Sequence, residues 1–149
     1  MDPHRTAARL DSLTRFEIDC IKAYDLAIRH LDAPAVRDEV YRMKADVERH
    51  VLENSEVLRA LGQEPPSFDR DLKGYVMACV TALRSASGSD GAVRAVSAIG
   101  YALVERFEDA MAWDVPLEVR IMFQSNQADV RRHLDQLVIE TAPAVPAGR

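Results

Sequence analysis

The sequence predicts an all-α protein, an up-down four-helix bundle made of two similar helical hairpins. Apolar residues recur at alternating spacings of three and four, which is the period of an amphipathic helix. Strand-like alternation is missing, and only 6 of the 149 residues are glycine. The pentapeptide at 46–50 (DVERH) returns at 129–133 (DVRRH), an offset of 133 − 50 = 83 residues. A chain of 149 residues is typical of a single domain.

Composition and charge narrow the classes of function. The net charge of −5 is spread among interspersed acids and bases, whereas a nucleic-acid interface would cluster Lys and Arg. No apolar run suits a signal peptide or a membrane span. Cys20 and Cys79 show no CxxC spacing, so we expect small buried side chains in a reducing compartment. We therefore predict a cytoplasmic protein with no nucleic-acid or membrane partner.

The first hairpin is predicted over residues 7–61. Its first helix runs from about 6 or 7 to 30 or 31, and Asp32 is expected to cap the second helix, which Gly62 ends. One carboxylate lies in the inward stripe of the first helix, where burial without compensation is unfavourable. The two inward stripes are Leu10, Leu13, Glu17, Cys20, Tyr24, Ala27 and Leu31, then Val36, Val40, Met43, Val47, His50, Asn54, Val57 and Leu61.

A long crossover and a second hairpin follow. Residues 69–86 are predicted to hold a short helix, whose apolar stretch Leu72–Leu83 packs on the outside or end of the bundle or forms an oligomer contact. The second hairpin covers residues 92–140, and residues 141–149 form a flexible tail. Its inward stripes are Val93, Val96, Gly100, Leu103, Phe107 and Ala110, then Val119, Met122, Asn126, Val130, His133 and Leu137. Residues 1–140 thus make one bundle domain.

The repeat predicts a polar centre at mid-bundle. The spacing from Glu17 to His50 is 50 − 17 = 33 residues, and from Gly100 to His133 it is again 133 − 100 = 33. In antiparallel hairpins with short turns, such positions lie at similar height. We therefore expect Glu17 to face His50, Gly100 to face His133, and an approximate twofold axis to bring both pairs together.

This layout, with Glu17 followed seven residues later by Tyr24, resembles the ferritin-like superfamily, and more closely its small bacterial rubrerythrin-like members of uncharacterised role. In that superfamily two helices each give a Glu and two each give a Glu-x-x-His pair, which together hold two irons. The resemblance covers about residues 10–140. It places metal ligands at Glu17, His50 and His133.

The departures from that pattern predict a degenerate site. The positions at which the superfamily has its other carboxylates are occupied by Val47, Val130 and Gly100. We therefore expect a reduced site, in which Glu17, His50 and His133 hold a single ion. One carboxylate and two imidazoles suit Fe(II) and also, less favourably, zinc. Gly100 would leave space for water or a small ligand opposite Glu17.

The neighbouring polar residues admit two roles. Asp46 and Asp129 lie four residues before the histidines, so they could replace missing ligands or orient the imidazole rings. Tyr24 is expected to bond the site through its hydroxyl. The alternative to a metal is a pair of core histidines hydrogen-bonded to neighbours, with Glu17 accepting from one of them.

Two functions are consistent with these patterns. The resemblance implies a metal-binding bundle, with oxidoreductase activity or stress-linked iron handling as its role. The alternative is a metal-free helical interaction module that dimerises through an exposed bundle face or through the Leu72–Leu83 segment. Both interpretations leave open whether the protein is an enzyme. We expect a homo-oligomer, a dimer.

Overall fold

The computed structural model describes residues 2–68 and 88–142, and within these ranges the chain is all-helical. Its four helices are α1 (Pro3–Ile28), α2 (Pro34–Ala60), α3 (Ser89–Met111) and α4 (Leu117–Thr141). The described part of the chain contains no strand. The predicted four-helix bundle is confirmed.

The starts of α1 and α2 differ from the prediction, because residues other than the expected ones occupy their N-terminal cap positions. Helix α1 begins at Pro3 because the Asp2 carboxylate accepts hydrogen bonds from the next backbone amides, with Pro3 in the first turn. Asp32 does not cap α2, so that prediction is wrong: Ala33 occupies the cap position, without a side-chain hydrogen bond. Gly62 ends α2 as predicted, with a φ of 81°.

The helices are arranged so that each runs antiparallel to both of its neighbours. Helix α1 packs on α2 and α3, and α4 packs on α2 and α3. The Asp32 amide donates to Ser89 Oγ (3.3 Å), which places the α1–α2 turn beside the start of α3. Arg9 lies 5.7 Å from the Trp113 ring, which places the start of α1 beside the α3–α4 turn. Helix α2 therefore ends at the opposite end of the bundle from the start of α3.

Several predictions fall on residues 1, 69–87 and 143–149, which are outside the described part of the chain. They include the crossover helix, Cys79, the Leu72–Leu83 contact and most of the C-terminal tail. None of the four described helices combines the length and apolar character that a membrane crossing requires.

The inward stripes form the core as predicted. Most of their residues are buried, and those that are only half-buried are Val57, Leu61, Val93 and Met122. The polar centre is also buried, because Glu17, His50 and Asn54 each have 0% exposure. The bundle therefore places ionisable groups in its interior, and their contacts decide what the centre can do.

Candidate functional site

Each copy of the repeated pentapeptide supplies the aspartate that contacts the histidine of the other copy. His50 Nε2 lies 3.2 Å from Asp129 Oδ2. His133 Nε2 lies 2.5 Å from Asp46 Oδ2. The repeat therefore forms two reciprocal contacts across the interface between α2 and α4, and we call these four residues the His–Asp pairs.

Two arginines, one from each pentapeptide, surround both aspartates. Arg49 Nη2 contacts Asp129 Oδ2 and lies 3.8 Å from Asp46 Oδ1. Arg132 Nη2 lies 3.0 Å from Asp129 Oδ1 and 3.9 Å from Asp46 Oδ2. Burial opposes ionisation of Asp129, but His50 and the two arginines outweigh it and hold its pKa below the ordinary value. Each aspartate thus faces positive charge from both hairpins.

The approximate twofold symmetry ends at the Nδ1 atoms of the histidines. His133 Nδ1 lies 2.6 Å from Oε1 of the buried Glu39, whose Oε2 accepts a hydrogen bond from Arg42 Nη2 at 2.7 Å. His50 Nδ1 instead faces Glu17 Oε1 at 3.6 Å, which is beyond a direct hydrogen bond. The two carboxylates come from different helices and are not equivalent in the repeat. The two histidines therefore differ in their environment despite the matching sequence.

The Glu17–His50 side of the centre contains polar atoms without partners. Asn54 Nδ2 donates to Glu17 Oε2 at 2.6 Å. Among the described residues, no hydrogen bond reaches Glu17 Oε1, His50 Nδ1, Asn54 Oδ1 or the Tyr24 hydroxyl, although all are buried. An unsatisfied buried polar group costs about 1–3 kcal/mol, so four on one side of the core mark a place where a water or an ion would be stabilising.

Burial controls the protonation of the two acids on this side. It raises the pKa of Glu17, and the nearby His50 only partly opposes that effect. Burial also raises the pKa of Tyr24 well above its usual range, with further increases from Cys20 and Glu17. The Tyr24 hydroxyl therefore keeps its proton and is a donor without an acceptor among the described residues.

The predicted space beside Gly100 does not exist. A Cβ atom added to Gly100 would lie 2.6 Å from Leu134 Cδ2 and 3.1 Å from Leu134 Cγ. The glycine lets Leu134 of α4 pack directly on the backbone of α3. The expectation that Gly100 leaves room for a small ligand opposite Glu17 is therefore wrong.

The structure brings together only part of the predicted ligand set. Glu17 faces His50, but both ring nitrogens of His133 are directed at carboxylates of α2. Within residues 2–68 and 88–142, no group of three or more His, Cys, Asp or Glu side chains could hold a metal ion. As they stand, Glu17, His50 and His133 do not fit a shared ion, and their roles as ligands stay a prediction.

Glu39 and the arginines were not predicted to take part in this centre. Glu39 is 2% exposed and lies on one face with Met43, Asp46 and His50, at spacings of four, three and four residues. This helical spacing is the one sequence pattern that could have predicted a place for Glu39 beside Asp46 and His50. Arg49 forms a local ion pair with Glu53, at 2.6 Å, and also reaches across to Asp129 of the other hairpin.

The two halves of the centre differ in their access to solvent. His133 lines an open groove of about 470 Å³ between α2 and α4. His50 has 0% exposure. The groove is lined by Glu39, Arg42, Ala45, Asp46, Arg132, His133 and Gln136.

In comparisons with known proteins, no family model, no curated protein and no solved structure matches this chain. The ferritin-like resemblance therefore stays a prediction from the sequence pattern. The four-helix bundle itself is established by the helices and their packing.

Proposed function

We propose that the chain is a metal-free helical interaction module of ferritin-like topology, in which a histidine–carboxylate–arginine network links the two hairpins. The environment of His133 carries this proposal. Its two nitrogens lie 2.6 and 2.5 Å from carboxylate oxygens of Glu39 and Asp46. Contacts this short on both sides leave neither nitrogen free to bind an ion.

The charges of the network support the same conclusion. In a di-metal bundle the ions neutralise carboxylates clustered in the core. Here Arg49 and Arg132 each lie within 4 Å of both Asp46 and Asp129. Guanidinium groups form strong, directional hydrogen bonds with carboxylates and are always charged. The side chains of the bundle thus supply the positive charge that an ion would otherwise supply.

Metal analysis tests this proposal directly. The protein is purified without chelators and without a histidine tag, its metal content per chain is measured, and it is titrated anaerobically with Fe(II) and then with Zn(II). We expect no stoichiometric metal and no change in thermal unfolding on adding EDTA. One ion per chain that survives dialysis would overturn the proposal.

The unpartnered atoms around Glu17 favour a second candidate, a reduced site that holds a single ion, iron in preference to zinc. Glu17 Oε1 and His50 Nδ1 are 3.6 Å apart. Two donors on one tetrahedral ion are separated by about 3.4 Å, given typical metal–ligand distances. The buried carbonyl oxygen of Asn54 and the hydroxyl of Tyr24 are further available groups. Oxidoreductase activity or stress-linked iron handling would then be the role that the resemblance implies.

Two double variants, each of which replaces one glutamate and one histidine by alanine, distinguish the metal-free module from the single-ion site. Glu17→Ala/His50→Ala removes the facing pair with unpartnered atoms, and Glu39→Ala/His133→Ala removes the pair already joined by a short contact. A single-ion site requires that the wild type and the second variant bind one Fe(II) or Zn(II) and that the first binds none. Equal retention in both variants, or no binding by the wild type, would exclude it.

A further inference from the structure

Tyr101 stands on the outer surface of α3, exposed between two grooves. Its side chain is 58% exposed. The groove on the α1 side has a volume of about 650 Å³, and Phe16, Ala98, Ala102, Glu105, Arg106 and Asp109 line it with Tyr101. The groove on the α4 side, of about 170 Å³, is lined by Tyr101, Val104, Arg131, Leu134, Asp135 and Val138. We call the exposed surface of α3 from Arg94 to Glu108 the Tyr101 face.

The internal repeat shows that this is a packing position in the other hairpin. The residue equivalent to Tyr101 is Ile18, because 101 − 83 = 18, and Ile18 has 0% exposure. The same position is therefore covered on α1 and uncovered on α3. An exposed aromatic side chain beside grooves that mix apolar and charged side chains is typical of the central residue of a protein interface.

The Tyr101 face carries opposite charges at its two ends, so it is complementary to a second, antiparallel copy of the same face. Arg94 lies seven residues before Tyr101 and Glu108 lies seven residues after it, and both are exposed. Glu108 Oε2 accepts a hydrogen bond from Gln127 Nε2 at 3.0 Å, so a pair between subunits would use the other carboxylate oxygen. If two α3 helices pair antiparallel around a twofold axis at Tyr101, each Arg94 lies opposite Glu108 of the partner subunit. Small residues at Ser97, Ala98 and Ala102 allow the helices to approach closely.

We propose that a second copy of this chain docks on the Tyr101 face to form a twofold dimer. This inference rests on the proposed interaction module and names its partner. Tyr101 of the partner subunit enters the larger groove, where the Arg106 guanidinium lies 4.6 Å from the centre of the Phe16 ring. That guanidinium presents its other face to the incoming aromatic ring. The Arg94–Glu108 pairs then set the antiparallel register at both ends.

The mass of the full chain in solution tests the dimer. Sedimentation over a concentration series should give twice the 16.6 kDa of one chain. We expect Tyr101→Glu to weaken dimerisation by at least about 30-fold, because central aromatic residues dominate interface energies. The matched control is Leu52→Glu, which changes an apolar residue of α2 that is 61% exposed and should leave the dimer intact. Circular dichroism melting confirms that each variant is folded.

Charge reversal tests the register. Arg94→Glu and Glu108→Arg should each weaken the dimer by about tenfold, and the double variant should restore it. The two residues are 14 positions apart on one helix, or about 21 Å, so rescue reports a contact between subunits. A monomeric wild type, a failure of rescue, or dissociation by Leu52→Glu would overturn the dimer proposal. None of these results bears on the metal analysis, so the two proposals fail independently.

Discussion

His133 is held by Asp46, the aspartate that precedes the other histidine by four residues, with 2.5 Å between His133 Nε2 and Asp46 Oδ2. Asp46 and His50 share a helix at a spacing that often allows side chains to interact. The structure instead pairs each aspartate with the histidine of the other hairpin. The repeated pentapeptide therefore joins the halves of the bundle.

This pairing predicts which residues are energetically coupled. In a double-mutant cycle, Asp46→Ala and His133→Ala should show a coupling of about 1–3 kcal/mol, because they remove the two ends of one short contact. Asp46→Ala combined with His50→Ala serves as the comparison and should couple less strongly, because these two residues are linked only through Asp129 and the two arginines. Urea unfolding measures each free energy. Coupling within the 46/50 pair, and none within the 46/133 pair, would contradict the observed pairing.

The lowered pKa of Asp129 predicts a loss of stability in acid. A carboxylate with a folded-state pKa below its unfolded value stabilises the fold above the unfolded pKa, and this contribution is lost as pH falls through the folded value. Asp129→Asn should therefore be less stable than wild type at neutral pH, and the two should converge in acid. Urea unfolding between pH 3 and pH 8 checks this. A difference in the free energy of unfolding between wild type and Asp129→Asn that stays constant with pH would count against the ionised contact.

Glu17 should show the opposite pH dependence. Burial raises its pKa in the folded state, so its contribution is fully present below the unfolded pKa and is lost as pH rises through the raised value. Glu17→Gln removes that titration without a change in shape. Relative to wild type, the variant should gain stability as pH rises from acid to neutral. The same urea series measures this. If Glu17→Gln instead loses stability relative to wild type as pH rises, the ionised carboxylate is compensated in the core.

Periodicity was sufficient to predict the bundle and the buried position of its polar residues. Glu17, His50 and His133 were all assigned inward from their place in apolar stripes, and all three are buried. A helical period specifies which face of a helix turns inward with good reliability when the stripe is long. It contains much less information about which inward residues of different helices meet.

The contacts that the sequence does not predict depend on how the helices pack against one another. The sequence predicts that Asp46 replaces a missing ligand or orients an imidazole ring, but not which histidine it meets, whereas the packing of α2 against α4 places it on His133, 87 residues away. Glu39 lies next to the main stripe rather than in it, so the periodicity of α2 favoured Val40 for the core. Gly100 could either leave a cavity or admit a neighbour, and only the packing of Leu134 decides between them.

The close approach at Gly100 predicts a substitution whose effect changes sign with its neighbour. Gly100→Ala places a methyl group where Leu134 already packs and should cost about 1–3 kcal/mol of overpacking. In a Leu134→Ala background the space is free, and the same change should be neutral or stabilising by up to about 1 kcal/mol through helix propensity. Urea unfolding of the four proteins in this cycle measures both effects. Stabilisation by Gly100→Ala in the wild-type background would show that the Leu134 side chain moves aside at little cost.

The Tyr24 hydroxyl is buried and makes no hydrogen bond within the described part of the chain. Its equivalent in the repeat is Phe107, a fully buried ring without a hydroxyl. Tyr24→Phe should therefore stabilise the protein by up to about 1–2 kcal/mol, because it removes an unsatisfied polar group and keeps the ring. Tyr41→Phe, at a half-exposed position, is the matched control and should change stability by less than about 0.5 kcal/mol.

The opposite result for Tyr24→Phe would identify an occupant of the core. If the variant is destabilised by about 1–2 kcal/mol, the hydroxyl makes a hydrogen bond to a buried water or ion beside Glu17 and His50. Repeating the unfolding after treatment with a chelator separates these two cases. A destabilisation that the chelator abolishes requires an ion and supports the single-ion site, whereas one that persists requires a water and leaves the metal-free module in place.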